Sequence, residues 1–216
     1  MEPQERSYIP AAGRDWLLPL YDPLQWILGG DELKLPLIEQ AALESGLRAL
    51  DIGCGTGSLT LLLKKLHPGV EVVGLDPDPK ALSIAKRKAG RAGLAIQLDQ
   101  GFSDRLPYPD ASFDRVFSSL MFHHLKQEEK SATLREVRRV LKPGGSLHLL
   151  DFGPPRSGLS RALAHVLHRA EHLRDNLEDR ITAFMGQAGF AHPEEVGHRG
   201  TLVGSLSYYR ALQPSR

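Results

Sequence analysis

The chain has 216 residues, 27 Lys+Arg against 26 Asp+Glu, and 41% hydrophobic residues, ordinary globular composition in the amount of one domain. A formal net charge of +1 leaves no global field for recruiting nucleic acid or an anionic membrane. The one cysteine, Cys54, excludes a disulfide framework and any multi-cysteine zinc site.

In chain order, Met1 to Arg6 is acidic and polar where a signal peptide runs basic and then apolar. The first thirty residues hold Tyr8, Trp16, Tyr21 and Trp26 among Pro10, Pro19 and Pro23. This arm reads either as a helix packed on a sheet edge or as a lid over the sheet's carboxyl edge. Leu47 to Ile52 reads as a first buried strand. Leu59, Leu62, Leu63 and Leu66 follow at helical spacing until His67-Pro68-Gly69. Val70 to Leu75 is the second strand, and Pro79 to Ala92 a helix opened by Asp78-Pro79. Leu94 to Leu98 is a short third strand. Phe113 to Leu120 is a fourth, preceded by the turn-forming Pro107-Tyr108-Pro109-Asp110. Leu134, Val137 and Leu141 mark the next helix, which Lys142-Pro143-Gly144-Gly145 stops before strand five, Ser146 to Phe152. This βαβ rhythm predicts a doubly wound, mostly parallel sheet with right-handed crossovers. Beyond Gly153-Pro154-Pro155 come an amphipathic helix, Leu159 to Leu173, and another over about Leu177 to Ala188. Phe190 to Val196 and Thr201 to Leu212, joined by a link around Gly197 to Gly200, suit a terminal antiparallel hairpin. No stretch approaches the ~20 uninterrupted apolar residues of a membrane span. The expectation is a cytoplasmic protein, one domain over 1–216: a cap at 1–44, a cofactor-binding core at 45–152, and substrate-side helices with the hairpin at 153–216.

Asp51-Ile52-Gly53-Cys54-Gly55-Thr56-Gly57 follows strand one and opens a helix, the place where a doubly wound sheet binds a nucleotide-like ligand. The third glycine arrives one residue early for the dinucleotide fingerprint, which disfavours a nicotinamide dehydrogenase, and no phosphate loop is present. Asp51 before the loop is unwelcome to a phosphate and welcome to an ammonium. The ligand should therefore carry a nucleoside without a pyrophosphate, and a positive charge. Asp76, nineteen residues after Gly57, ends strand two and can accept both ribose hydroxyls.

At this point the chain resembles the class I S-adenosylmethionine-dependent methyltransferases. Leu50 to Gly57 looks like their first motif and Gly74-Leu75-Asp76 their second. Leu106 to Asp114 with Ser118 to Leu125 looks like their fourth-strand region, and Leu141 to Gly145 their turn before strand five. The wording is most similar to small-molecule methyltransferases of the ubiquinone/menaquinone-biosynthesis type, and Tyr21-Asp22 resembles the Tyr-Asp of their cap. The resemblance implies a Rossmann-like, seven-stranded sheet with a helical N-terminal cap, and S-adenosylmethionine as cofactor, released as S-adenosylhomocysteine. It implies that Gly53, Cys54 and Gly55 pack on ribose and methionine, that Asp51 orders the loop and the ammonium, that Asp76 takes the ribose diol, and that Pro77 lies on adenine. Ser119 and Leu120 would border the methionine end. Where the family often has Gly-Asp-Ala after strand three, this chain reads Gly101-Phe102-Ser103-Asp104. The contact to adenine N6 then falls to Ser103 or Asp104, or Phe102 packs on the ring.

Methyl transfer from a sulfonium is an in-line displacement, and holding the acceptor at attack distance can supply up to ~7–11 kcal/mol. A general base adds about 10²–10⁴-fold where the acceptor must lose a proton. His123, after strand four, is the candidate base; otherwise it is a loop histidine bonded to backbone. The Asn-Pro-Pro-Tyr type signature of amide and adenine N-methylation is missing there, which disfavours nucleobase targets. His165, His168 and His172 share one face of the Leu159–Leu173 helix, read as a solvated face, a substrate wall or subunit contact, or a metal site. The expected function is S-adenosylmethionine-dependent methylation of a small acceptor at oxygen or carbon, with no metal and no nucleic-acid partner. A protein that binds the cofactor for other chemistry or none would keep the same motifs. A macromolecular methyltransferase would need a basic recognition surface.

Overall fold

The computed structural model describes residues 30–156, 176, 180–201 and 204–215. A 3-10 turn, Gly30–Leu33, leads into α1 (Leu35–Glu39). Then follow β1 (Arg48–Ile52), α2 (Ser58–Leu66), β2 (Glu71–Asp76), α3 (Pro79–Ala92), β3 (Gln97–Gln100), β4 (Phe113–Ser119), a 3-10 turn at Phe122–His124, α4 (Gln127–Val140), β5 (Leu141–Phe152), α5 (Ile181–Gln187), β6 (Ala191–Thr201) and β7 (Gly204–Leu212). One seven-stranded sheet runs β3-β2-β1-β4-β5-β7-β6, parallel through β5, with β7 antiparallel to both neighbours.

Both faces of the sheet are covered, as the near-continuous apolar strands require. Successive strand residues point to opposite sides. Thus Leu50, Val73, Val116, Leu149 and Tyr209 enter one core with Leu134, Val137 and Phe184 from α4 and α5. Ala49, Val72, Phe117, Leu150 and Tyr208 enter the other with Leu37 and Ile38 of α1 and Leu59, Leu62 and Leu63 of α2. On α3 the buried residues are Ala81, Ala85 and Ala89, one small residue per turn, which lets that helix lie close.

Three sequence expectations are corrected. The third strand starts at Gln97, not Leu94, because Gly93 ends α3 in the left-handed conformation (φ 64°) and Leu94 N–H donates back to Ala89 O at 3.0 Å. Leu141 belongs to β5, where it pairs with Phe113 ahead of a register shift. Gly197 to Gly200 is no link: Gly197 pairs with Tyr208 and Gly200 with Ser205, and the hairpin turns between Thr201 and Gly204. That turn is closed by the Thr201 hydroxyl donating to Gly204 O at 2.8 Å. Glycines are tolerated in β6 because it is an edge strand with a bulge at Glu195/Gly197. Tyr21, the rest of the cap before residue 30, and the Leu159–Leu173 helix with its three histidines lie outside the described residues.

Two basic side chains on the helices brace neighbouring loops. Arg139 on α4 clamps the β3–β4 connection, reaching Glu136, Asp110 and the carbonyls of Leu106 and Tyr108. Lys88 on α3 donates to Thr56 O at 3.0 Å and so braces the glycine loop.

Candidate active site

Strand order reverses between β1 and β4, and in such sheets ligands bind outside the carboxyl ends at that switch point. Four carboxyl ends bring polar groups there: Asp51 on β1, Asp76 on β2, Ser119 on β4 and Asp151 on β5. Lys34, Asp51, Gly53, Cys54, Ser58, Leu59 and Ser119 line one cleft.

The glycine loop is hung from β2. Gly53 and Cys54 N–H both donate to Leu75 O, at 2.8 and 3.0 Å, and Gly55 N–H donates to Asp76 Oδ2 at 2.8 Å. Gly53 has φ 69° and a Cβ there would overlap the Met121 side chain; Gly57 has φ 79° and a Cβ there would crowd Ala85 of α3. Only glycine suits either place. Asp76 Oδ1 accepts from Asp78 N–H at 2.9 Å. Each carboxylate oxygen thus receives one backbone donor and keeps acceptor capacity for another. Burial pushes the Asp76 carboxyl up, and the two N–H bonds pull it partway back.

Asp51 is fully buried, and its Oδ2 accepts from the Thr60 hydroxyl at 2.7 Å. Burial pushes its carboxyl up to about 7, with Asp76 adding repulsion and Thr60 and Lys34 opposing. The Cys54 thiol is pushed up as well, by burial and then by Asp51 and Asp76, so it stays protonated and unreactive.

Past β4, His123 meets Asp151. Its Nδ1 lies 2.6 Å from Asp151 Oδ1, and its backbone N–H donates to Asp151 Oδ2 at 3.1 Å. Phe152 N–H donates to Oδ1 as well, at 2.7 Å. Asp151 is wholly buried; burial pushes its carboxyl up, but the His123 ring and the backbone donors outweigh this and hold it below its ordinary range. A carboxylate at Nδ1 fixes the neutral ring as the Nδ1–H tautomer, leaving Nε2 as the acceptor. The edge of the Phe152 ring and the adjacent His124 ring, centroids 4.9 and 4.0 Å away, hold the imidazole in place.

The remaining sequence candidates divide. Gly101 N–H donates to Asp76 O at 3.1 Å, tying the end of β3 to the site, and Pro77 O accepts from Gln100 Nε2 at 3.1 Å. Leu120, with φ 54°, bonds to Leu150 O and turns the chain toward His123. Ser103 Oγ lies 2.8 Å from the Thr133 hydroxyl of α4. Phe102 is half-buried beside it. Sequence reasoning missed Asp151 and Lys34. The signal for the first was a carboxylate inside the apolar run Leu149-Leu150-Asp151-Phe152; the second had none.

The residues present fit S-adenosylmethionine. The Asp76 carboxylate retains acceptor capacity, glycines keep the loop bare, and the buried Ser119 Oγ in the cleft has no hydrogen-bond partner among the described residues.

Residues 49–145 match a family model described as a methyltransferase domain. The demethylmenaquinone methyltransferase of Deinococcus radiodurans is 37% identical over 205 residues, covering 91% of this chain and 84% of that protein. The ubiquinone/menaquinone biosynthesis C-methyltransferase of Syntrophotalea carbinolica is 32% identical, covering 90% of each. Among solved structures, a phosphoethanolamine N-methyltransferase of Haemonchus contortus, determined with S-adenosylhomocysteine, superposes with TM-score 0.79 at 18% identity. It covers 98% of this chain and 61% of that one, a likeness of fold. With the loop, the acidic strand ends and the relatives in agreement, this chain belongs to the S-adenosylmethionine-dependent methyltransferases that act on small molecules, in the family of the quinone-biosynthesis enzymes.

Proposed function

We propose that the protein is a single-domain cytoplasmic enzyme that methylates a ring carbon of a small reduced quinone, using S-adenosylmethionine. The observation that carries this reading is the His123–Asp151 pair at the same sheet edge as the glycine loop and Asp76, in a chain whose relatives are named for demethylmenaquinone and for C-methylation. Asp51, Gly53, Cys54, Gly55, Asp76 and Ser119 would hold the cofactor. When bound, it supplies a methyl electrophile whose C–S electron pair stays on sulfur. A hydroquinone is a weak carbon nucleophile until its hydroxyl proton departs, which moves charge to the neighbouring ring carbon. His123 Nε2 is the lone pair available to take that proton, and Asp151 stabilises the imidazolium that results. The ring carbon gains the methyl, its own hydrogen leaves as a proton, His123 returns its proton to the quinol oxygen, and one proton is released in all.

The test is incubation with S-adenosylmethionine and a chemically reduced demethylnaphthoquinone bearing a short side chain. The expected product has gained one methylene in mass, lost its ring C–H signal by NMR, and kept both hydroxyls. Methylation at a hydroxyl overturns the carbon assignment. S-adenosylhomocysteine binding without turnover of any quinol overturns the enzymatic one.

Asp76 tests the cofactor site separately. Asp76→Ala removes the ribose acceptor and the Gly55 anchor, each a charge-assisted bond worth about 1.5–3 kcal/mol. S-adenosylhomocysteine affinity measured by calorimetry should fall by about 100-fold or more.

A further inference from the structure

We propose that Asn176, ahead of α5, is a specificity-determining residue whose side-chain amide donates a hydrogen bond to the acceptor's second oxygen, the one that His123 does not deprotonate. This rests on the quinol reading above and assigns a role to a residue that no motif marks. Asn176 and Lys130 of α4 are both wholly buried. Lys130 Nζ donates to Asn176 Oδ1 at 3.1 Å. An ammonium can only donate, so the amide oxygen is the end that faces it, and the NH₂ group is turned elsewhere. That nitrogen has no hydrogen-bond partner among the described residues.

A wholly buried amide N–H without an acceptor is costly to keep, and a ligand's oxygen can complete its bonding. The location suits the methyl acceptor. Lys130 lies in the first turn of α4, which follows the His123 turn after Leu125 and Lys126, and its ammonium stands 5.8 Å from the centroid of the Phe122 ring. Phe122 belongs to the core that α4 and α5 form with one face of the sheet. Asp151, two residues beyond Leu149 on β5, points to that same face. Asn176, the His123 turn and Asp151 therefore share one side of the sheet's carboxyl edge. The donor also selects its ligand. A neutral NH₂ group backed by an ammonium repels a cation and favours an oxygen lone pair, and the charge behind it polarises the N–H bonds further. A ring with two para-related oxygens offers one to His123 Nε2 and leaves the other for Asn176.

The experiment gives the full chain S-adenosylmethionine and three acceptors without air. These are a 3-alkyl-1,4-naphthalenediol, the 3-alkyl-1-naphthol that lacks the second oxygen, and the 4-methyl ether of the diol, which keeps that oxygen as an acceptor only. Asn176→Leu should lower kcat/KM by about 10-fold for the diol and the ether and leave the naphthol within about two-fold. Comparing proteins on one acceptor cancels that acceptor's own reactivity. Asn176→Asp keeps a partner for Lys130, and so the packing, but its carboxylate only accepts. It should still use the diol and lose about 10-fold on the ether relative to the diol. An equal loss on all three acceptors in Asn176→Leu, or a loss on none, overturns the assignment. An ether-to-diol ratio in Asn176→Asp that matches wild type overturns it as well. If wild type binds S-adenosylhomocysteine yet methylates none of the three, the quinol reading itself fails and takes this assignment with it.

Discussion

His123→Ala is expected to lower kcat on a reduced naphthoquinone by about 10²–10⁴-fold and to leave S-adenosylhomocysteine affinity within about two-fold. The split follows from position. His123 joins Asp151 at the end of β5, whereas the nucleoside determinants lie on the β1 and β2 loops. Asp151→Asn should reproduce much of the loss, on the order of 10²-fold, because an amide cannot satisfy every donor around it. The carboxylate accepts from the His123 ring, His123 N–H and Phe152 N–H, and turning an NH₂ toward any of them sets donor against donor. A burial-only role for His123 predicts something different: a lowered Tm with unchanged kcat per folded molecule. A kcat within about three-fold of wild type in a folded His123→Ala protein would remove the imidazole from the chemistry.

Asp51→Asn should make the ligand-free protein more stable and a poorer binder. The Asp51 carboxyl has an ordinary value of 3.8 when exposed and about 7 when buried in the fold. The unfolded chain therefore gives up this proton first as pH rises, and stability falls between about pH 4 and pH 7. A shift of about three units corresponds to a destabilisation of roughly 4 kcal/mol, absent below pH 4 and fully expressed above pH 8. Removing the charge should raise Tm at pH 8 by several degrees, about 2–4 °C for each kcal/mol regained at this size, and flatten Tm against pH across that window. S-adenosylhomocysteine affinity should meanwhile drop about ten-fold or more, since the ammonium loses its counter-charge. A thermal-shift series from pH 5 to pH 8 on both proteins checks this. A variant less stable than wild type at pH 8 would show that ionised Asp51 holds the loop together.

The glycine loop, Asp76 and the alternation of strands and helices through β5 were legible in the sequence because they rest on local rules. Helical periodicity, strand alternation and the left-handed glycines each leave a mark within a few residues. His123 stood out for the same reason, next to a strand end. Its partner did not: Asp151 is 28 residues away in the chain, and only the β4–β5 pairing brings the two strand ends together. Lys34 was invisible on stronger grounds, since nothing in Gly30-Asp31-Glu32-Leu33-Lys34 distinguishes a cleft lysine from a solvated one. The Gly197 to Gly200 misreading has a physical lesson too. Glycines mark turns where the backbone must reverse, but on an edge strand, with one side unpaired, they can simply continue the ladder.

The placing of β7 constrains how the molecule assembles. It follows β6 in the chain yet lies between β5 and β6, so β6 reaches the sheet only through β7. Pairing of β7 with β5 is therefore the step that joins the hairpin to the sheet, and it is non-local in sequence. Docking sets Ser207 opposite Asp151 and seals that carboxylate away from water. A folding intermediate lacking the docked hairpin would hold a finished nucleoside loop and a hydrated Asp151. Pulsed hydrogen exchange should accordingly protect β1 and β2 before β6 and β7, so that the capacity to bind precedes the capacity to catalyse during folding.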